Sequence, residues 1–363
     1  MLFLPVWLLL SAVLLALLLD RLLGEPPAAI HPVVGMGKYL NCCGQYAAPA
    51  AGSADTGSTR LRSLLLGAGF WLCGAGLVIA LAFVIQSLLI FGLLQLLAIT
   101  STPAMGAGLV LAMVLIVLFL ALLLKPLFAW RMLADEVAAV DTALAQSLTA
   151  GQQRLAYLVS RDTSVLHASQ VREAAIETLA ENFNDSVIAP LFWFCLGGLP
   201  AAALYRYANT ADASWGYKGL RHGRDWTYAG RFAARADDVL SWLPARLTAL
   251  IIFIASQADL AAKNPKNTLK NIGSNAVLTP SPNSGWPMAA AALALDLRLC
   301  KPGVYALNPD GQNCGAGSIA AALNLLQRCW CGLVLALGLV SATYILQNSP
   351  LSLTMHIGER IWS

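Results

Sequence analysis

The chain has 363 residues, 58% of them hydrophobic and only 12% charged, and its mean hydropathy is +0.66. The charged share is about half that of an ordinary soluble domain, and a soluble protein of this length could not hide so much apolar surface. The net charge of +4 is too small and too dispersed for a nucleic-acid partner.

Residues 1–19 are almost wholly apolar and carry neither a basic leading region nor a small-residue cleavage site. They read as a retained transmembrane helix rather than a removed signal peptide. Residues 20–62 form a basic loop with Arg21, Lys38, Arg60 and Arg62. Its first half, which holds His31, is rich in Pro and Gly and reads as a fixed loop without regular helix. Residues 47–59 are small and polar and read as a flexible linker. The run 64–99 is apolar except for a few residues such as Gln86 and Gln95, and exceeds the roughly 20 residues that one crossing needs. An uncharged turn at Thr100 follows, then a second apolar segment at 107–124 that ends at Lys125 and Pro126. From residue 128 to 157 the pattern is amphipathic, with Leu133, Val137, Val140 and Leu144 set among Asp135, Glu136 and Asp141. That predicts a helix outside the bilayer core.

The densest run of carboxylates lies in 161–193, where Glu173, Glu177 and Glu181 recur every fourth residue and Asp185 follows. On a helix they share one face and repel by roughly 0.2–0.5 kcal/mol per pair, so a cation such as Arg172, or a divalent metal, must offset them. Two further apolar segments, 187–207 and 239–256, contain Pro190, Gly197, Gly198, Pro200, Pro244 and Arg246. The last apolar helix is 329–346. Eight cysteines are present without C-x-x-C or zinc spacing, so neither a disulfide nor a zinc centre is expected.

Basic residues favour the cytoplasmic side. Arg206, Lys218, Arg221, Arg224, Arg231 and Arg235 follow one interrupted segment, and Lys263, Lys266 and Lys270 follow the other. The simplest topology keeps both segments from crossing, as re-entrant or protein-buried helices. The expected fold is a single all-α integral membrane domain over 1–363. About four transmembrane helices (1–19, 64–99, 107–124 and 329–346) place both termini outside. Region 125–328 supplies re-entrant or buried helices and a helical active-site layer on the cytoplasmic face.

No P-loop, nucleophile elbow or H-E-x-x-H is present. The polar stretches instead combine Glu177, Glu181, Asp185, Asp212, Asp237 and Asp238 with Lys218, Arg221, Arg224, Arg231 and Arg235. Carboxylates on Mg²⁺ and cations on phosphate oxygens suit a phosphate-bearing substrate. The same charges could also simply pair with one another to seal a polar interface.

Several blocks carry a resemblance, in order and over nearly the whole chain. Asp20, Gly24, Pro26, His31, Pro32, Val33 and Gly37 match D-x-x-x-G-D-P…H-P-V…G, with Glu25 where Asp is usual. SRDTS, ETLAENFNDSVIAPLFW, NTADASWGYK, ARADDVLSWLPARLTAL and SPNSGWP follow. The chain resembles the membrane-bound adenosylcobinamide-phosphate synthase family of cobalamin biosynthesis. It departs from that pattern at Phe183 and Asn184, at Trp215, and at Pro287 and Met288; around Tyr305 it keeps only part of a Gly-Gly-x-x-x-Tyr pattern.

The resemblance implies an ATP- and Mg²⁺-dependent ligase that joins adenosylcobyric acid to aminopropanol phosphate or a related amino alcohol phosphate. It implies a multi-pass protein of the bacterial inner membrane whose active face is cytoplasmic and which could meet other late pathway enzymes there. On that basis Glu177, Glu181 and Asp185 are expected to hold Mg²⁺. Asp212, Asp237 and Asp238 would be further ligands or orienters, and Lys218, Arg231, Arg235 and Arg246 would meet phosphates. Asn209, Asn283 and Trp286 would line the corrinoid or nucleotide pocket. His31 is a candidate general base or hydrogen-bond donor. Arg246, inside an apolar segment, could instead pair with Asp238. A non-catalytic membrane sensor or scaffold, or a corrinoid-related transporter, stays open as an alternative.

Overall fold

The computed structural model describes residues 6–99, 105–257 and 268–347. The Thr100 turn, Lys263, Lys266 and the tail beyond 347 lie outside them. The described chain is helical apart from two small antiparallel hairpins. Among the described residues six stretches are long and apolar enough to cross a membrane: Val6–Leu23, Gly57–Gly92, Val110–Gln146, Ala168–Trp215, Arg231–Gln257 and Ser318–Tyr344. The chain is a multi-pass membrane protein by this measure. Length and composition admit two more crossings than the four expected, because the helices that contain 187–207 and 239–256 qualify as well.

The first helix, α1 (Val6–Leu23), is followed by α2 (Pro32–Ala47). This second helix replaces the irregular loop expected there. Pro32 stands at its first position, where an N–H has no intrahelical partner to lose. His31 caps it, its Nδ1 accepting from Val33 N at 3.2 Å. Segment 47–59 is tied to the body: Ala50 bridges to Arg224, and Arg224 Nη1 donates to Ala48 O at 2.7 Å.

Helices α3 (Gly57–Ile99) and α4 (Met105–Leu124) contribute to the two most apolar of these stretches. The expected amphipathic helix forms as α5 (Trp130–Gln146) and α6 (Leu148–Leu155), split at Ser147, which caps α6. Leu133, Val137, Val140 and Leu144 are buried. Then comes α7 (Ala168–Phe183), continued through one π-helical turn at Asn184–Ile188 into α8 (Ala189–Trp215).

Gly197 and Gly198 interrupt α8, Gly198 at φ +65°. The break frees backbone groups that a membrane helix must satisfy from within the protein. Gln86 of α3 does so, its Oε1 accepting from Leu199 N at 2.8 Å. After α8 a hairpin, β1 (Leu220–Arg221) and β2 (Arg224–Asp225), leads into α9 (Arg231–Gln257). Helices α10 (Leu269–Ala276) and α11 (Gly285–Ala294), the hairpin β3 (Leu299–Lys301) and β4 (Tyr305–Leu307), and α12 (Ser318–Gln347) complete the fold.

A large apolar core runs through α1, α4, α5, α7, α8, α11 and α12. A second gathers α2, α3 and the C-terminal half of α8. Two of the sequence departures are core residues: Phe183 packs edge-on to Trp130 at 5.3 Å, and Trp215 stacks on Trp226 at 6.0 Å.

Candidate functional site

Helix α7 begins at a reciprocal cap. Gln170 Oε1 accepts from His167 N at 2.9 Å, and the His167 side chain accepts from the third helical N–H. This fixes the phase of the carboxylate ladder. Glu173 and Glu177 are nearly fully buried. Glu173 Oε2 accepts from Cys300 N at 3.1 Å, which docks the β3–β4 hairpin on α7. Glu177 Oε2 pairs with Arg161 Nη2 at 3.0 Å.

The cation that offsets the ladder is therefore Arg161, from the SRDTS block, rather than Arg172. Asp162 shapes that block, its Oδ1 accepting from Ser164 N at 2.9 Å and Ser164 Oγ at 2.7 Å. These bonds hold its carboxyl below the usual range. The other oxygen of Glu177 is buried without a geometric hydrogen bond. Tyr305 lies beside this carboxylate. Burial, then the Glu177 charge, push the Tyr305 phenol above its ordinary value, so it stays protonated. Lys301 adds positive charge that acts on Glu177 and Glu181.

The π turn carries the ladder on to Asp185. Asn184 Nδ2 donates to Asp185 Oδ1 at 2.7 Å, and Asn184 Oδ1 accepts from Thr248 Oγ1 at 3.0 Å. One residue thus ties the acid to α9. Asn209 of α8 reaches toward both Asp185 and Asp237, with 3.5 Å from its Nδ2 to Asp237 Oδ1. Asp237 sits in the fields of Asp185, Asp212 and Asp238, and Glu181 in those of Asp185, Glu177 and Asp212. Three consecutive helical stretches therefore bring five expected acids into one neighbourhood. Its inward cation is Arg206, which donates from Nη1 to Ser186 Oγ at 3.2 Å and acts on Asp185.

On one edge of this cluster Asn283 Nδ2 donates to Asp238 O at 2.8 Å, and Arg246 Nη1 donates to Asn283 Oδ1 at 3.0 Å. Arg246 does not pair with Asp238. Its guanidinium lies over Trp242 at 4.2 Å and Trp286 at 4.8 Å, a stacking that suits its planar charge. Arg231, Arg235, Asp238, Trp242 and Arg246 fall on one side of α9 by helical spacing.

Lys218, Arg231 and Arg235 are exposed, and among the described residues no ion pair joins them to the acids. His31 sits in a neighbouring cluster, linked to the acids through Arg206, which acts on both Glu25 and Asp185. Its Nδ1 accepts from backbone, so the ring proton is on Nε2, 3.2 Å from Glu25 Oε2. Lys125 Nζ lies 2.7 Å from Glu25 Oε1 and 3.0 Å from Asp20 Oδ1.

Among the described residues no group of three or more His, Cys, Asp or Glu side chains is arranged to hold a metal ion unaided. The sequence reading assigned no role in the site to Arg161, Arg206, Lys301 or Tyr305. Arg161 stood in a quoted block, and Tyr305 in a partly kept pattern; Arg206 and Lys301 carried no signal beyond their charge.

The fold and this site define a multi-pass helical membrane protein with a buried acidic centre bordered by arginines and tryptophans. The family model described as "CobD/Cbib protein" matches residues 13–346. "Probable cobalamin biosynthesis protein CobD" of Methanothrix thermoacetophila is 34% identical over 323 residues, covering 88% of this chain and 92% of that protein. "Cobalamin biosynthesis protein CobD" of Brucella suis is 37% identical, covering 90% of this chain and 94% of its own. The protein of that name from Chromobacterium violaceum is 38% identical, covering 78% and 79%. The chain belongs to the CobD/Cbib family of cobalamin biosynthesis proteins. No solved structure matches it.

Proposed function

We propose that this chain is the ligase that joins adenosylcobyric acid to aminopropanol phosphate, or a related amino alcohol phosphate, with ATP as the energy source. The observation that carries the reading is the gathering of Glu181, Asp185, Asp212, Asp237 and Asp238 about one point, with Arg206 as the inward cation. A structural seal would match acids with bases; this cluster holds acidic side chains in excess of basic ones, as a site awaiting a cation and phosphates does.

A carboxylate is a poor acylating agent because oxide is a poor leaving group. Transfer of the ATP γ-phosphoryl to the corrinoid carboxylate gives an acyl phosphate and ADP. The amine then attacks the acyl carbon; phosphate leaves, the amine loses a proton, and the amide remains.

Mg²⁺ among phosphates needs only one or two protein carboxylates, so the absence of a three-ligand group does not count against it. Asp185 and Asp237, oriented by Asn184 and Asn209, would hold the ion, which would supply charge neutralisation to the phosphates. Asp212 or Glu181 would take the amine proton. Arg231, Arg235 and Arg246 border the cluster along α9 and suit the phosphate of the amino alcohol. Glu177 is already paired to Arg161, so it supports the ladder more than it binds metal.

Hydroxylamine tests the intermediate. With the amino alcohol phosphate withheld, the purified chain, adenosylcobyric acid, Mg·ATP and hydroxylamine should give the corrinoid hydroxamate and ADP. Hydroxamate with AMP and pyrophosphate would replace the acyl phosphate by an adenylate. No nucleotide-dependent product, from folded protein and with either amine, would overturn the ligase reading in favour of a non-catalytic membrane protein.

A further inference from the structure

A large cavity lies away from the acids. It has a volume of about 770 Å³ and lies between α2, α3, the end of α4 and α8, within the size range of ligand sites. Leu199, Ala203 and Tyr207 recur every fourth residue of α8 and line it. Asn209 and Asp212 lie on the opposite side of that helix by spacing, so α8 separates the cavity from the acidic cluster.

Its walls are apolar, and two further observations identify an occupant. Leu77, Leu81 and Leu122 line the cavity and are 62%, 60% and 44% exposed, so the cavity is open along them. They belong to α3 and α4, both within membrane-crossing stretches. The opening is therefore continuous with the surface that meets lipid chains. Inside, Met36 and Ala82 are buried, and Tyr207, which also lines the cavity, is fully buried with no hydrogen-bond partner for its hydroxyl. The charged groups gather at one end, where Asp20 and Glu25 share Lys125. Lys125, the His31 ring beside Glu25 and the field of Arg206 balance the two carboxylates, so a head group without net charge suits this end.

We propose that this cavity is a lipid site that takes one acyl chain of a neutral or zwitterionic bilayer lipid through the gap between α3 and α4. Its head lies at the Glu25–Lys125 end, and the Tyr207 hydroxyl is the polar contact within the chamber. The site would hold the Pro-rich turn between α1 and α2 against the membrane.

The test uses the full chain in phosphatidylcholine vesicles that contain phosphatidylcholine with a diazirine midway along one acyl chain. After irradiation, adducts are mapped by mass spectrometry. Adducts are expected on Met36, which bulk lipid does not reach, as well as on outward-facing Leu88. Filling the chamber from α3 with Ala82→Phe, or independently from α8 with Ala203→Phe, should abolish the Met36 adduct and leave that on Leu88. Adducts confined to outward positions, or Met36 labelling that survives both substitutions in folded protein, would overturn the proposal. So would displacement of the Met36 adduct by adenosylcobyric acid, which would make the cavity a substrate pocket. The readout needs no turnover, so its failure and failure of the ligase reading are distinguishable.

Discussion

Arg161 and Glu177 show how a ladder of like charges is tolerated in this fold. The ion pair is 3.0 Å long, with side chains 21% and 7% exposed. Removal of one partner strands the other, at a cost on the order of 3 kcal/mol for a buried pair. Arg161→Ala should therefore lower the thermal unfolding temperature markedly, and adding Glu177→Gln should recover most of the loss. Strict additivity of the two changes would show that the pair is not coupled. His31 poses a different question, because its ring proton points at Glu25 and its Nδ1 caps α2. His31→Asn keeps a capping oxygen, so it should retain stability within about 1 kcal/mol and retain product formation. Full loss of activity in folded protein would support the general-base role.

At the level of elements, α8 carries both its own defect and the means of tolerating it. Gly197 and Gly198 break the helix, and Gln86 of α3 accepts the freed Leu199 N–H. Gln86→Leu leaves that donor buried and unpaired, which costs about 1–3 kcal/mol. An unfolding transition that does not move would mean that another group takes the bond. The two residues were visible separately in the sequence, a polar side chain in one apolar run and glycines in another. Their contact spans 113 positions and was not. The same limit explains the site. Glu181, Asp185, Asp212 and Asp237 were legible because they lie on consecutive helical stretches that fold back on one another. Arg161 and the β3–β4 hairpin were not, because only tertiary packing brings them to α7. Helix α2 was misread for a local reason: Pro32 and the glycines were counted as breakers, although Pro at a first turn loses nothing and each Gly costs only about 1 kcal/mol.

For the molecule as a whole, the orientation expected from the basic loops places the acid cluster and the β1–β2 hairpin on the cytoplasmic side. Lys218→Cys, made in a background without exposed native cysteines, should react with an impermeant maleimide only in inside-out vesicles. Reaction only in right-side-out vesicles would invert the topology. Family membership then fixes the setting, cobalamin biosynthesis, and the acidic centre carries the proposed chemistry.

The most direct measurement is product formation. Purified chain is mixed with adenosylcobyric acid, aminopropanol phosphate and Mg·ATP, and adenosylcobinamide phosphate is sought by mass spectrometry. Asp185→Asn and Asp237→Asn are run beside it, together with a sample treated with a chelator. We predict product from the native chain alone, with both variants folded. Product from both variants would contradict the placement of the reaction at this acidic cluster.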